Sequence, residues 1–232
     1  MRLEECHSDL AELVKGSSFS QLFSLLHILA QVRYADKAQL NTCNFKLATR
    51  AKLLKLEHLG YLTCKNKVYS VTSKTIELLK ENDYPVSHFT GDLRGEGGKE
   101  EICKAAVKLE ALKLPDFYRL IYPNFTYLIP DFALVFKRDH QAKLVFVEVE
   151  TEKPKWNEYL ENKRMNYLTL SADHDIWAVW WKVHSTKLNL AWCREDEFSF
   201  SVWCVGNFKA DWPGWSFGRT ALEIHQGLRV PG

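Results

Sequence analysis

Two neighbouring segments of this chain have the composition of buried β-strands, yet each carries acidic residues. Residues 127–136 contain Asp131 before an apolar run, and residues 143–151 contain Glu148 and Glu150 at the end of another. Short apolar runs rich in valine and phenylalanine favour strands at the centre of a sheet. An ionised carboxylate in such a place is costly unless a cation or a hydrogen-bond network compensates it. The fold must therefore bring a compensating group to these acids.

The spacing of the three acids predicts that they share one face of the sheet. Side chains alternate faces along a strand, so Glu148 and Glu150 project together, about 6.5 to 7 Å apart along it. Sixteen residues lie between Asp131 and Glu148. A β-hairpin with an even-length loop within residues 138–142 and no bulge then places Asp131 on the same face. We expect the three carboxylates to converge on one small volume.

This acidic cluster predicts a divalent metal site. Hard oxygen ligands at this density suit Mg²⁺ or Mn²⁺ better than zinc. The alternative interpretation is a pair of edge strands whose acids are solvated near the strand ends. Under the first interpretation Asp131, Glu148 and Glu150 are the candidate metal ligands.

The order of these residues resembles the PD-(D/E)XK nuclease core. Pro130-Asp131, a hairpin, Glu148-x-Glu150, a helix and a further strand follow one another as in that family. The resemblance implies an α-β-β-β-α-β domain that hydrolyses DNA with a bound metal. Asp131 and Glu148 would be direct ligands, with the carbonyl of Val149 nearby. Glu150, which stands where the usual motif has lysine, would orient or deprotonate the attacking water, directly or through a second metal.

A lysine in the following helix is a candidate for the missing motif lysine. After a helix start at Pro154, one stripe at three- and four-residue steps holds Trp156, Tyr159, Leu160, Lys163, Tyr167 and Leu170. Two interpretations of Lys163 stay open. Its ammonium reaches the acidic cluster and stabilises charge on the pentavalent phosphate, or its stem is buried while the ammonium snorkels to solvent.

A helix is predicted upstream of these strands, at residues 98–112. Its Glu101 resembles an acid that some family members supply to the site from this helix. The alternative is a solvated glutamate at a helix start.

The remaining strands are predicted from their apolar runs. Residues 117–122 form the first strand of the core, and residues 175–181 form a strand after the second helix, buried on both faces. Residues 188–192 and 198–203 are expected to pair as a further hairpin, a β extension of the sheet. The tryptophans around this extension either stack on unpaired bases or cover the core.

The amino-terminal third has the element order of a different unit. Helices are predicted at residues 19–30, 37–40 and 46–59, with Gly60 as a stop signal, and residues 61–71 form a tight β-hairpin before a closing helix. This order resembles the winged helix-turn-helix, whose third helix usually enters the major groove and whose hairpin contacts phosphate. The resemblance implies groove candidates at Lys46, Thr49, Arg50 and Lys52 and a phosphate pair at Lys65 and Lys67.

Basic charge is concentrated on this unit. Residues 36–74 hold eight lysines and arginines against two acids, a net charge of +6, whereas the whole chain is only +2. The rest of the chain is therefore acidic. Such a patch favours a phosphate-bearing partner, DNA above all. The alternative is a winged helix that binds protein.

The pairing of the two units resembles the replication-relaxation proteins of plasmids and phages, which join a winged helix to a PD-(D/E)XK-like domain. The resemblance covers roughly residues 18–182 and includes Glu148-x-Glu150-Thr151 followed by Lys163-x-x-x-Tyr167. It predicts an α/β protein with a winged-helix domain at residues 1–83, a linker at 84–98 and a nuclease-like domain at 99–232.

Three functions stay open. The first is a Mg²⁺- or Mn²⁺-dependent endonuclease positioned on DNA by its winged helix, cutting both strands as a homodimer or by sequential nicks. The second is a non-catalytic DNA-binding factor for replication or regulation in a mobile element. The third is a cleavage subunit that acts only with a recombinase or transposase partner.

Sequence composition indicates where in the cell the protein is expected. No apolar run reaches the ~18 residues of a membrane span, and the amino terminus has no signal-peptide pattern. Six cysteines are scattered without any C-x-x-C pairing, so reduced thiols are expected in place of a zinc knuckle. The sequence predicts an intracellular protein with no membrane partner.

Overall fold

The computed structural model describes Leu10 and residues 19–43, 48–84, 86, 99–138, 141–150, 155–185 and 199–227. The chain divides into two compact units, unit 1 (Met1–Leu109) and unit 2 (Glu110–Gly232). Each unit combines helices with one β-sheet, so the predicted α/β class is confirmed. Most of the predicted linker lies outside the described residues. No helix in these ranges has the length and apolarity that crossing a lipid bilayer requires.

Unit 1 contains a small antiparallel sheet, and helices precede, separate and follow its strands along the chain. Its elements are α1 (Phe19–Val32), β1 (Ala35–Asp36), α2 (Lys37–Thr42), α3 (Arg50–His58), β2 (Leu62–Lys65), β3 (Val68–Val71) and α4 (Ser73–Glu81). Strand β3 lies between β1 and β2. The predicted helices and hairpin are present, although α3 begins at Arg50 and residues 48–49 before it are not helical.

Local sequence signals set the ends of these elements. Asp36 and Gln39 form a capping box at the start of α2. Gly60 follows α3 with a φ of +77°, a left-handed conformation that suits glycine. Asn66 and Lys67 have φ values of 53° and 66°. Positive φ at both central residues is typical of the two-residue type I′ turn, whose twist matches that of the flanking strands.

Leucines of α1 and α3 form the core of unit 1. The buried members are Leu22, Leu25, Leu26, Leu29, Leu53 and Leu56. Burying a leucine contributes roughly 2 kcal/mol. Leu53 and Leu56 face inward, so their packing fixes the rotation of α3, and Arg50, its first residue, is exposed.

A further helix, α5 (Lys99–Ala111), groups mostly with unit 1. The side chain of Lys108 is buried, and its Nζ donates to the carbonyl of Val32 at 3.1 Å. The amide of Gln39 donates to the carbonyl of Ile102 at 2.7 Å. The boundary between the units therefore follows residue 109, downstream of the predicted domain start at residue 99.

Unit 2 is built on a five-stranded sheet. Its elements are β4 (Phe117–Ile121), β5 (Phe132–Arg138), β6 (Gln141–Val149), α6 (Trp156–Ala172), α7 (His174–His184), β7 (Ser199–Val205), β8 (Trp215–Gly218) and α8 (Ala221–Gly227). The strand order is β4-β5-β6-β7-β8, antiparallel from β4 to β6 and parallel from β6 to β8. Val149, Val205 and Gly218 are aligned in register, so the three parallel strands end at one edge of the sheet.

Helices contact both faces of this sheet. Tyr167 of α6 and Trp180 of α7 pack in one cluster with Phe146. Residue 202 is the register partner of Phe146, so Trp203 projects to the opposite face. There its ring lies 6.2 Å from that of His225 in α8, measured between centroids.

The predicted strand at residues 175–181 is wrong, because this segment lies within helix α7. The carboxylate of Asp173 accepts the N–H of Ile176 at 3.0 Å and so caps the first turn. Trp180 is buried, whereas Val179 is 64% exposed. Residues 175–181 therefore form a helix with one buried and one exposed side, which their nearly uniform apolar sequence does not indicate.

The strand that follows the helices is β7, and its pairing also differs from the prediction. It runs parallel to both of its neighbours, β6 and β8, and is not half of the expected hairpin. Residues 188–192, the other predicted half, lie outside the described residues.

Candidate functional site

Asp131 and Glu148 face each other at the sheet edge where the parallel strands end. The register pairs Phe132 with Val147, and its continuation sets Asp131 opposite Glu148. Opposed residues of antiparallel strands project to the same face. The carboxylate of Asp131 also accepts the N–H of Val149 at 2.8 Å. The predicted register of this hairpin is confirmed.

Glu148 is fully buried, and protein donors bind both of its carboxylate oxygens. Its Oε1 accepts the hydroxyl of Tyr167 at 2.8 Å, and its Oε2 accepts the ammonium of Lys163 at 2.5 Å. Both donors come from helix α6, where a spacing of four residues puts them on one side of the helix. Helix α6 thus supplies the group that compensates a charge buried in the strand.

Lys163 points from α6 toward the sheet. Besides Glu148, its Nζ donates to the carbonyl of Ile129 at 3.0 Å, and it lies 5.1 Å from the ring centroid of Tyr159. The side chain is only 11% exposed. The ammonium of Lys163 therefore reaches the acids and does not snorkel to solvent.

Burial and nearby negative charge shift the pKa values of Glu148 and of three side chains close to it. Burial, then the nearby charge of Asp131, raises the pKa of Glu148 from 4.5 to about 7. Burial by itself would lower the pKa of Lys163, but the charges of Glu148 and Asp131 raise it overall. Burial also raises the pKa of the Tyr167 phenol well above its ordinary range and that of the Cys204 thiol to about 12.

Glu150 has a different set of partners from the other two acids. Strand β6 ends at Val149, and the Glu150 carboxylate accepts the N–H groups of Asn207 and Phe208 in the segment after β7, the second at 3.0 Å. Gly206 makes room for it, because a Cβ at that position would lie 2.2 Å from the Cβ of Glu150. The carboxylate of Glu150 therefore fixes a loop.

The arrangement does not fit the predicted metal site. Mg²⁺ and Mn²⁺ need several oxygen ligands that are open to the ion. Both oxygens of Glu148 already accept protein hydrogen bonds, and the Oδ2 of Asp131 accepts the N–H of Val149. Across the described ranges, no three histidine, cysteine or acidic side chains come together as a possible metal-holding group. The cluster is instead a network of two carboxylates, one ammonium and one phenol.

Tyr167 is the member of this network to which the sequence interpretation gave no role. A signal for it was present, since Tyr167 lies four residues after Lys163 in the same helical stripe. What spacing could not show is that its hydroxyl would meet a carboxylate.

The predicted DNA-contacting residues of unit 1 are partly exposed. Thr49 is the N-cap of α3, where its Oγ1 accepts the N–H of Lys52 at 3.4 Å. Arg50 is exposed and Lys52 is half-buried. Lys65 and Lys67 are exposed at the β2–β3 turn. Lys46 lies outside the described residues.

Glu101, the possible additional acid, belongs to unit 1 and not to the unit that holds Asp131. Its Oε1 lies 3.7 Å from the Nζ of Lys104, one turn further along α5. This contact is an ordinary ion pair along a helix.

Comparison with known proteins returns no match. No protein-family model, curated protein or solved structure matches this chain. The functional assignment therefore rests on the contacts, burial and charges given above.

Proposed function

We propose that this protein is a DNA-binding factor that contacts duplex DNA through unit 1. The order α1-β1-α2-α3-β2-β3, with β3 central in the sheet, supports a winged helix-turn-helix. In this assignment α3 is the recognition helix and the β2–β3 turn is the wing. The observation that carries the proposal is that cations at the start of α3 and at the tip of the turn are solvent-exposed, within the segment 36–74 that carries a net charge of +6.

The packing of α3 supports its role as the groove helix. Its inward side is closed by Leu53 and Leu56, whereas Arg50 at the start of the helix is exposed to solvent. The first residues of a recognition helix are the ones that reach base edges in this class of fold. A guanidinium can also bind phosphate or guanine with two parallel hydrogen bonds.

The wing supports the phosphate contact. Lys65, Asn66 and Lys67 are all exposed, and the turn that carries them is a tight two-residue connection. Lysines on a rigid turn lose little backbone entropy when they bind. They would hold the duplex without reading its sequence.

Unit 2 in this proposal has a nuclease-like core without the reaction. Three antiparallel strands, then two helices, then a strand parallel to the third support the PD-(D/E)XK resemblance, although it implies a single helix between the last two strands. The hydrogen bonds to both oxygens of Glu148 and the placement of Glu150 against a loop favour a structural network over a metal-loaded one.

Fluorescence anisotropy with a labelled duplex of about 25 base pairs tests the proposal. The double substitution Lys65→Ala/Lys67→Ala should weaken binding about 5- to 30-fold and reduce the slope of log affinity against log salt by about 2. The matched control, Lys113→Ala/Lys182→Ala, removes two exposed lysines from unit 2. Equal affinities for the two double variants would sink the proposal.

A second candidate is the endonuclease. The observation that favours it is the meeting of Asp131, Glu148 and Lys163 at one sheet edge. It requires Glu148 to exchange a protein partner for another ligand. If it is correct, the wild-type chain nicks supercoiled plasmid with Mn²⁺, whereas Asp131→Asn and Glu148→Gln lose nicking and keep duplex affinity. A wild-type chain that leaves the plasmid supercoiled removes this candidate for the chain acting alone.

A further inference from the structure

Unit 2 has a cavity of about 620 Å³ at the carboxyl ends of β7 and β8. Gly206 directly follows β7, and Gly218 ends β8. In open sheets with parallel strands, ligands bind outside the carboxyl ends of those strands. The volume lies within the roughly 300–1,000 Å³ range of small-molecule sites. The cavity is therefore in the right place and of the right size for one ligand the size of a nucleotide.

Two aromatic rings form a wall of this cavity. The ring centroids of Phe208 and Phe217 are 5.8 Å apart, and both side chains are half-buried. Trp212 packs against both rings, with its centroid 5.4 Å from that of Phe208 and 5.7 Å from that of Phe217. Half-buried rings held by a third ring offer a rigid apolar surface on which a nucleobase can stack.

Two exposed cations stand at the same cavity. Lys209 and Arg219 line it together with a single acid, Glu223. Glu223 is partly compensated, because its Oε2 accepts the backbone N–H of Arg219 at 2.8 Å. The charged lining is thus net positive, and arginine and lysine are the usual partners of phosphate.

Glu150 is a positioning residue for this cavity. Its carboxylate accepts the N–H of Phe208 and so holds the backbone of one aromatic wall residue. Gly206, which lines the cavity, lacks the side chain that would collide with Glu150. This contact explains why an acid that is absent from the Glu148 network is placed at the end of β6.

We propose that this cavity binds an unpaired nucleotide, with its base against Phe208 and Phe217 and its phosphate held by Lys209 and Arg219. A nucleotide within a duplex has both base faces covered by its neighbours, so only an unpaired one can meet these rings. The residues of this site belong to unit 2, whereas those of the proposed duplex contact belong to unit 1.

The test uses the full chain and fluorescein-labelled oligo(dT) of twelve nucleotides. Lys209→Ala/Arg219→Ala should weaken oligo(dT) binding about 10-fold, and Phe217→Leu should weaken it about 5-fold or more. Both variants should keep the duplex affinity of the wild-type chain within about 2-fold. The matched control for charge is again Lys113→Ala/Lys182→Ala.

Three outcomes overturn the proposal. One is an oligo(dT) affinity of the cavity variants equal to that of the control. Another is a loss that is equal for oligo(dT) and duplex. The third is displacement of oligo(dT) by inorganic phosphate at the concentration at which dTMP displaces it, because phosphate has no base to stack.

Competition with dTMP separates the two sources of a nucleotide. If dTMP displaces oligo(dT) from the wild-type chain but not from Phe217→Leu, the site takes a single free nucleotide. Oligo(dT) binding that is sensitive to the same substitution but resists dTMP supports a nucleotide within a strand. Failure of duplex binding in the wing variants bears on unit 1 alone, so the two proposals fail separately.

Discussion

The ammonium of Lys163 in helix α6 lies 2.5 Å from the carboxylate of Glu148 in strand β6. Glu148 is fully buried and Lys163 nearly so, which makes this pair unlike the exposed ion pairs of the same helix. Removing one partner of a buried pair leaves an uncompensated charge. The first prediction follows from that asymmetry.

Lys163→Met should destabilise unit 2 by about 3 kcal/mol, because Glu148 must then be buried alone or protonated. Urea unfolding followed by tryptophan emission measures this directly, since all eight tryptophans lie in unit 2. The matched control is Lys155→Ala, which breaks the exposed pair with Glu158 and should cost at most about 1 kcal/mol. An equal loss of unfolding free energy in Lys163→Met and Lys155→Ala would show that the buried pair stabilises the unit no more than an exposed pair does.

The pH dependence of stability should carry a signature of Glu148. Its pKa is raised from 4.5 to about 7 in the folded chain, so the stability that it contributes is complete below pH 4.5 and is lost as pH rises through 7. The free energy of unfolding of the wild-type chain relative to Glu148→Gln should fall by up to about 3 kcal/mol over that window. Urea titrations at pH 4.5 to 8.5 test this, and a difference that rises with pH would show a lowered pKa instead.

Tyr167→Phe should cost about 1–3 kcal/mol, because it removes the donor to Oε1 of a buried carboxylate. The substitution keeps the aromatic ring, which packs on Phe146 with 5.5 Å between the ring centroids of Tyr167 and Phe146. The control is Tyr127→Phe. The hydroxyl of Tyr127 is buried with no hydrogen-bond partner in the described part of the chain, so its removal should change stability by less than about 0.5 kcal/mol. Thermal unfolding of both variants at pH 7.5 decides between these values.

Gly206→Ala should destabilise unit 2 by more than about 2 kcal/mol, because the new methyl group would overlap Glu150 and the loop would have to shift. The control is Gly214→Ala. A Cβ at Gly214 would meet open space, and its φ of +78° should cost only about 1 kcal/mol of backbone strain. Glu150→Gly should cost less stability in the Gly206→Ala background than in the wild-type chain in urea unfolding, because it removes the overlap together with the hydrogen bonds to the loop. An equal cost in both backgrounds would show that overlap with Glu150 is not the cause.

The sequence predicts the register of the β5–β6 hairpin for a clear physical reason, but it leaves the direction of Lys163 open. Alternation and an even loop fix which face Asp131 shares with Glu148. This feature depends on spacing within one short segment, which a single sequence contains. A lysine inside an apolar helical stripe can reach the sheet or snorkel to solvent, and the contacts of Lys163 with Glu148 and Ile129 decide between the two.

The features that the sequence does not predict depend on distant or non-local partners. Residues 175–181 are apolar enough for a strand or a buried helix, and the cap at Asp173 with the packing of Trp180 decides for the helix. Glu150 finds its donors in Asn207 and Phe208, more than fifty residues away. No periodicity within β6 encodes that contact.

Three consecutive residues at the end of β6 each have a different structural partner. Glu148 is bonded to helix α6, Val149 to Asp131, and Glu150 to the loop that follows β7. Adding or deleting one residue just before this tripeptide would turn all three side chains to the wrong faces at once. An insertion or deletion at this point therefore breaks three contacts together, whereas a substitution of one residue affects only its own contact.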